Sequence, residues 1–195
     1  MNTRIFALPL LILLVGCQAD SGATLHSADS GMAKPFDLQQ TIAIGQTTIP
    51  VEVKQAVAGG ISSVSILSHG EELENEQYRV TDEEMDLVKT SDDTFTPPVP
   101  LMHFPASMGQ TETWSGNVQE GATTRSATAT IAISDAKLHE GGIPLDTLKV
   151  TVNLAINSGA PVPAKRTFEF WFGGGKLVKR VFGSGTTRIA TGITN

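Results

Sequence analysis

The stretch "TLKVTVNLAI", residues 147–156, decides the fold class of this chain. Its apolar side chains recur at every second position, and mostly polar ones occupy the positions between them. The apolar members are Leu148, Val150, Val152, Leu154 and Ile156. Because successive side chains of a strand point to opposite faces of a sheet, this alternation predicts a strand with one buried face and one solvated face.

Other stretches repeat this pattern on both sides of the quoted strand. The clearest are "SATATIAIS" (126–134), "RTFEFWF" (166–172) and "GKLVKRVFG" (175–183), and weaker candidates are 49–57, 61–68, 76–81, 85–90, 110–119 and 186–193. No segment carries an apolar helical stripe over three turns. About ten strands with short connections predict an all-β domain, an antiparallel meander that forms a curved sheet or an open barrel to protect its edges.

A proline-rich segment, "TPPVPLMHFP" (96–105), interrupts the series of strands. Proline has no backbone N–H to give to a β-ladder. The segment is therefore predicted to be an edge or a crossover between two groups of strands.

The first twenty residues have the pattern of an export signal. Arg4 precedes an apolar run of eleven residues, 5–15, whereas a membrane-spanning helix needs roughly 20. The run ends in Leu14-Val15-Gly16-Cys17, which resembles the bacterial lipobox. The resemblance implies that the Cys17 thiol receives a diacylglyceryl group, that cleavage follows Gly16, and that the new amino terminus is acylated.

This pattern divides the chain into three parts. Residues 1–16 are predicted to be a lipoprotein signal peptide, 17–40 a lipidated N-terminus with a flexible linker, and 41–195 a single all-β domain. Two or three acyl chains hold a protein firmly on a membrane. The residue after the cysteine is Gln18 rather than the aspartate of the inner-membrane retention signal, which favours the outer membrane, facing the periplasm, as the site of anchoring.

Composition excludes several classes of function. The formal net charge is −6, and an acidic chain is a poor ligand for nucleic acid, whose binding depends on neutralising phosphates. Cys17 is the single cysteine, so its lipidation leaves no thiol for a disulfide or for thiol catalysis.

Three stretches of the second half resemble one family. They are "PLMHFPASMGQTETWSG" (100–116), "IPLDTLKV" (143–150) and "WFGGGKLVKR" (171–180). Their order of proline segment, glycine-led turn and tryptophan strand is similar to that of the TapB-like exported proteins of bacteria, over roughly residues 75–182. The resemblance implies a curved, exported all-β domain and carries over no catalytic residue.

Motifs of enzyme chemistry are incomplete in this sequence. "FGGGKL" (172–177) lacks the Ser or Thr that follows the lysine of a phosphate-binding loop, and it is predicted to be a hairpin turn. Ser134 and Lys137 have the S-x-x-K spacing of serine acyl-enzymes but follow a strand instead of opening a helix. The histidines show no metal-ligand spacing, so no metal and no cofactor is predicted. They are His26, His69, His103 and His139.

Charges of opposite sign are separated along the chain. Acidic residues dominate 71–93 and basic residues dominate 165–188. The acidic segment lacks the ligand spacing and glycine turn of a calcium loop, and it is predicted to be a solvated turn. Two further interpretations stay open: the two segments pair between strands, or they present a surface to a partner.

Three functions are consistent with these features. The first is a non-enzymatic cell-envelope lipoprotein, anchored to the membrane through Cys17, with a structural or protein-binding role toward an unknown envelope protein. The second is a periplasm-facing carrier of a lipid or other hydrophobic ligand. Its apolar ligand face would consist of Leu148, Val150, Val152, Leu154, Phe168, Phe170 and Phe172. The third is an envelope hydrolase, for which no nucleophile–base pair is found. The first is preferred.

Overall fold

The computed structural model describes residues 24–44, 47–140, 143–174, 176–182 and 186–189. Within these residues it contains fourteen strands and one short 3-10 helix, Ser27–Ser30. The strands are β1 (Thr24–Leu25), β2 (Phe36–Ile44), β3 (Thr47–Ala58), β4 (Ile61–Ser68), β5 (Glu71–Val80), β6 (Glu84–Lys89), β7 (Asp93–His103), β8 (Ala106–Ser107), β9 (Thr111–Glu120), β10 (Thr123–Glu140), β11 (Ile143–Ile156), β12 (Ala164–Gly173), β13 (Lys176–Phe182) and β14 (Thr186–Ile189).

Twelve of these strands form one antiparallel meander. The order across the sheet is β14-β13-β12-β11-β10-β9-β7-β6-β5-β4-β3-β2, and β1 pairs with β8 in a separate two-stranded sheet. The two outermost strands, β2 and β14, also lie next to each other. The sheet therefore curls into a barrel, which is open because no ladder joins β2 to β14 in the described part of the chain. The predicted all-β meander is confirmed, with twelve strands instead of about ten.

The alternating apolar positions predicted from the sequence lie opposite one another on the central strands. Val152 on β11 lies opposite Ile131 on β10 and Phe168 on β12, and all three side chains are buried. The next inward position, Val150, lies opposite Phe170. These inward rows build the core of the barrel.

The proline-rich segment was predicted to be an edge or a crossover between two groups of strands. The structure shows that it is not an edge strand of the sheet. It belongs to β7, which lies inside the sheet between β6 and β9. The ladder of β7 with β9 runs only from Asp93 to Thr96, and the second half of β7 pairs with β6. Pro97 and Pro98 follow directly after the point where the ladder to β9 ends. They can stand inside a sheet there because no N–H is needed on that side.

An indole closes the gap that opens between β7 and β9. The Trp114 Nε1–H donates a hydrogen bond to the Pro97 carbonyl oxygen over 3.1 Å. The ring of Trp114 lies against Gly116, where an added Cβ would be 2.4 Å from the ring and 2.6 Å from the Thr96 carbonyl oxygen. Only glycine fits at position 116, because any other side chain would displace the tryptophan or the backbone of β7.

The N-terminal segment is folded onto the barrel, although residues 17–40 were predicted to be a flexible linker. We call residues 24–35 the plug segment. It includes β1 and the 3-10 helix, and its Leu25 and Met32 side chains are buried in the core. The sequence did not indicate this because two apolar residues in a polar segment form no periodic pattern. The described part of the domain therefore begins at Thr24 rather than at residue 41.

The plug segment lies across one end of the barrel. The Ser27 hydroxyl donates to the carbonyl oxygen of Thr81, in the β5–β6 turn, over 2.7 Å. The Gln55 amide, at the end of β3, donates to the carbonyl oxygens of Gly31 (3.0 Å) and Lys34 (2.6 Å). We call this the plugged end. The far end carries the β4–β5, β6–β7 and β9–β10 turns, because connections of a meander alternate between its two ends.

Burial of the plug segment predicts a large loss of stability on truncation of Met32. Met32 is 1% exposed, so Met32→Ala should lower the free energy of unfolding by about 2–5 kcal/mol through lost burial and a cavity. Met108→Ala is the matched control: Met108 is 50% exposed, and its truncation should change stability by no more than about 0.5 kcal/mol. Denaturant titration measures both. Equal values for the two variants would contradict a packed plug.

Candidate functional site

The predicted apolar ligand face lies in the core of the barrel. All seven of its side chains are at most 4% exposed, and Val150, Val152 and Phe170 are fully buried. Phe170 packs edge-to-face against Tyr78 across the interior, with ring centroids 6.3 Å apart. A side chain that lines a cavity large enough for water retains accessible surface, so this degree of burial favours a filled core around these residues. Whether the face binds a ligand stays a prediction.

A polar cluster is embedded in this apolar interior. Arg180 on β13 donates a hydrogen bond from Nη1 to Oε2 of Glu76 on β5, and the Tyr78 hydroxyl donates to the same oxygen over 2.6 Å. All three residues are buried. We call them the interior triad. It connects two strands that are 104 residues apart in sequence and lie on opposite sides of the barrel.

The electrostatics of the interior triad keep its arginine charged. Burial alone would lower the pKa of Arg180, but its interactions with the Glu76 carboxylate and with Tyr78 together outweigh this effect and raise that pKa. Burial, with a further contribution from Glu76, raises the pKa of Tyr78 well above its ordinary value, so the phenol stays a neutral donor. In the interior triad, the Arg180 cation and the neutral Tyr78 hydroxyl therefore both donate to one carboxylate, that of Glu76.

A second arginine makes a similar connection. Arg166 on β12 donates from Nη1 to Oδ2 of Asp93 on β7 over 2.5 Å and from Nη2 to Oε1 of Glu120 on β9. Arg125 donates to the other oxygen of Glu120 over 2.6 Å. Burial raises the pKa of Asp93 although Arg166 opposes it, whereas the hydrogen bond from Arg166 lowers the pKa of Glu120.

These contacts decide between the interpretations of the separated charges. Glu76 and Asp93 belong to the acidic segment, and Arg166 and Arg180 belong to the basic one. The two segments pair between strands through the interior. Most of the acidic segment forms β5 and β6 instead of the predicted solvated turn, but several of its acids remain exposed in turns and at strand ends. They are Glu71, Glu72, Asp82, Glu83 and Asp92.

A small crevice lies where β7 and β9 diverge. Its volume is about 190 Å³, below the roughly 300–1,000 Å³ of typical small-molecule sites. Apolar side chains from two strands, β7 and β10, form part of its lining: Leu101, Met102, Ile131 and Ile133. At its rim the His103 Nε2 atom lies 3.2 Å from Glu112 Oε2. The crevice has room for a group such as one aliphatic side chain.

The outer surface of the barrel carries a tryptophan held between two lysines. The Nζ atoms of Lys149 and Lys179 lie 4.9 Å and 4.4 Å from the Trp171 ring centroid. Lys149 also forms an ion pair with Glu169 at 2.5 Å. The lysine stems cover the ring, which is 6% exposed despite facing outward. The Trp171 ring is thus covered by contacts within the domain and has little accessible surface for a ligand.

The structure separates the residues of the S-x-x-K pattern. Ser134 and Lys137 both lie on β10, three positions apart, so their side chains point to opposite faces of the strand. Lys137 instead lies 3.5 Å from Asp146. The "FGGGKL" stretch forms the predicted β12–β13 hairpin, with Gly174 at a φ of +57°.

The described residues provide neither a metal centre nor a membrane-spanning helix. No group of three or more His, Cys, Asp and Glu side chains is placed to hold a metal ion in the described ranges. Among those residues, no helix has the length and apolar character needed to cross a bilayer. The predicted signal peptide and Cys17 lie outside the described residues.

Comparison with known proteins gives a structural similarity alone. No protein-family model and no curated protein matches the chain. Among solved structures, the chain is similar to the hypothetical lipoprotein YmcC of Escherichia coli, at 11% identity and a TM-score of 0.44, over 82% of this chain and 89% of that one. Membership of the TapB-like proteins stays a prediction.

The interior triad predicts strong coupling between its two charged members. Arg180→Met or Glu76→Leu alone leaves an uncompensated buried charge and should cost about 3–5 kcal/mol of unfolding free energy. The double variant should cost much less than the sum, because neither charge is then left behind. Denaturant titration of all four proteins gives the coupling energy.

The half-buried pair Lys149–Glu169 is the matched control for this cycle. Its own cycle, with Lys149→Met and Glu169→Leu, should give a coupling energy of no more than about 1 kcal/mol. An additive cycle at Glu76 and Arg180 would show that the interior pair does not hold the two sides of the barrel together.

Proposed function

We propose that this chain is a lipid-anchored, non-enzymatic protein of the cell envelope, on the outer membrane and facing the periplasm, whose barrel has a structural or protein-binding role. The observation that carries the proposal is the sequence Leu14-Val15-Gly16-Cys17 at the end of an eleven-residue apolar run. Kinship with the TapB-like exported proteins, inferred from residues 75–182, is part of the same proposal.

The packing of the interior supports a binding module over a carrier. The core side chains of β11 and β12 are buried against each other, and two arginines extend into the interior from β12 and β13. A bound lipid would need the volume that these side chains occupy. The barrel therefore acts through its outer surface.

One part of the outer surface is suited to a protein partner. At the outer positions from Thr111 to Gln119 of β9 and from Thr124 to Ser134 of β10, every exposed side chain is small or uncharged, although the protein as a whole is acidic. These residues are Thr111, Thr113, Ser115, Asn117, Gln119, Thr124, Ser126, Thr128, Thr130, Ala132 and Ser134. We call this the uncharged face. Depletion of charge is characteristic of the centre of protein interfaces.

Lipidation predicts that Cys17→Ser abolishes acylation of the protein. Metabolic labelling with a radioactive fatty acid should mark the wild type and leave the serine variant unmarked, because serine lacks the thiol that forms the thioether. The variant should also keep its signal peptide, which mass determination reads directly. Label on the serine variant would contradict the proposal.

Protein binding predicts a discrete cross-link from the uncharged face. A photo-reactive amino acid at Thr128 should give one adduct of constant mass in intact cells, and the same group at Glu72, exposed on β5, should not. Adding Thr130→Glu should abolish the adduct, because it places a carboxylate at the centre of the interface. This variant should change stability by no more than about 0.5 kcal/mol, since Thr130 is exposed.

The carrier alternative makes the opposite prediction for these experiments. A carrier would give no adduct at Thr128. It would instead bind an apolar fluorescent probe saturably, close to one per molecule, and Phe170→Ala would change that binding with little loss of stability. That combined result would replace the proposed role with the carrier.

A further inference from the structure

The first described residues of the chain, from Thr24 onward, are fixed at one end of the barrel. Thr24 and Leu25 pair with Ser107 and Ala106 of the β7–β9 connection. Ser27 then bonds to the β5–β6 turn at Thr81. Both connections belong to the plugged end, so the chain enters the described fold at that end.

The chain between the lipid site and the fold is short. Six residues, 18–23, separate Cys17 from Thr24. A fully extended chain spans at most about 3.3–3.6 Å per residue, so Thr24 lies no more than about 25 Å from the acylated residue. The barrel is longer than the reach of this connection, so the connection restricts how the barrel can turn relative to the membrane. Strand β11 has fourteen residues, which at about 3.3 Å per residue and a tilt near 40° separates its ends by about 35 Å.

We propose that the plugged end of the barrel faces the lipid bilayer and that the far end points away from it. The inference rests on the proposed lipidation of Cys17 and adds the orientation of the domain. Turning the far end toward the bilayer would require residues 18–23 to run back along the whole length of the barrel. The partner of this surface is therefore the headgroup layer of the membrane that holds the anchor.

The side chains of the plugged end fit contact with headgroups rather than insertion. Asp82 and Glu83 are exposed in the β5–β6 turn, and charged groups are costly to place in hydrocarbon. Met108, in the β7–β9 connection, is half exposed at the same end. With the barrel in this orientation, the uncharged face of β9 and β10 stands on its side wall, above the membrane and accessible to a protein.

The orientation is testable by fluorescence quenching in lipid vesicles. Acylation consumes the only thiol, so a cysteine introduced elsewhere is labelled uniquely. A donor dye is attached to Met108→Cys at the plugged end or to Ala122→Cys in the exposed β9–β10 turn at the far end. The lipidated protein is incorporated into vesicles of phosphatidylethanolamine and phosphatidylglycerol that contain an acceptor-labelled lipid. The donor at Met108→Cys should lose more fluorescence than the donor at Ala122→Cys.

A linker insertion provides the matched control. About twelve Gly and Ser residues placed between Asp20 and Ser21 add a flexible reach of about 19 Å and leave every described residue unchanged. The difference in quenching between the two sites should then shrink or vanish. A difference that survives the insertion unchanged would show that the tether does not set the orientation and would overturn the inference.

Failure of the inference and failure of the proposed function give different results. Equal quenching at the two sites, or stronger quenching at Ala122→Cys, in protein that mass spectrometry shows to be acylated at Cys17 overturns the orientation and leaves the anchor intact. Absence of an acyl group at Cys17 removes the proposed anchor and the orientation with it.

Discussion

The ion pair between Arg180 and Glu76 joins β13 to β5 across the interior of the barrel and constrains how the sheet can curl. A meander gains most of its contacts from strands that are neighbours in sequence, and those contacts alone do not determine how far the sheet curls. Arg180 and Glu76 are buried, and leaving either charge without its partner costs about 3–5 kcal/mol. The curled sheet brings the two charges together, and the Tyr78 hydroxyl donates a further hydrogen bond to Glu76. The same curvature places β14 next to β2.

The second arginine connection and the Trp114 contact act where the ladder between β7 and β9 is interrupted. The ladder between β7 and β9 ends after Thr96, so the backbone bonds that hold other neighbouring strands together are missing beyond that point. Arg166 holds Asp93 and Glu120 where the two strands are still paired, and Trp114 bonds to Pro97 where they separate. Pro97 and Trp114 therefore lie together at this gap. The missing ladder needs no backbone N–H from the proline, and the space between the strands admits the large indole ring.

Much of the fold was predictable from sequence because a period of two encodes the buried face of a strand directly. The alternation at 148–156 predicted the inward positions of β11 correctly. The folding of residues 24–40 was not predictable, because Met32 is buried by contacts with residues distant in sequence and no local period marks it. The sequence also did not predict which acidic residues pair with Arg166 and Arg180. A bulge between Trp171 and Phe172 shifts the register of β12 against β13, and charge counts contain no such information.

The plug segment gives the N-terminal part of the chain two roles that follow from one geometry. Its buried residues, Leu25 and Met32, contribute to the core at the plugged end, and its start at Thr24 lies a few residues from the proposed anchor. A domain fixed to a membrane through a long linker would present all its surfaces equally, whereas a domain attached through six residues cannot. Because the inward side chains of β11 and β12 are buried and two ion pairs cross the interior, we place the proposed role on the surface. The short connection then selects which surface a partner can reach: the side wall formed by β9 and β10, and the turns of the far end.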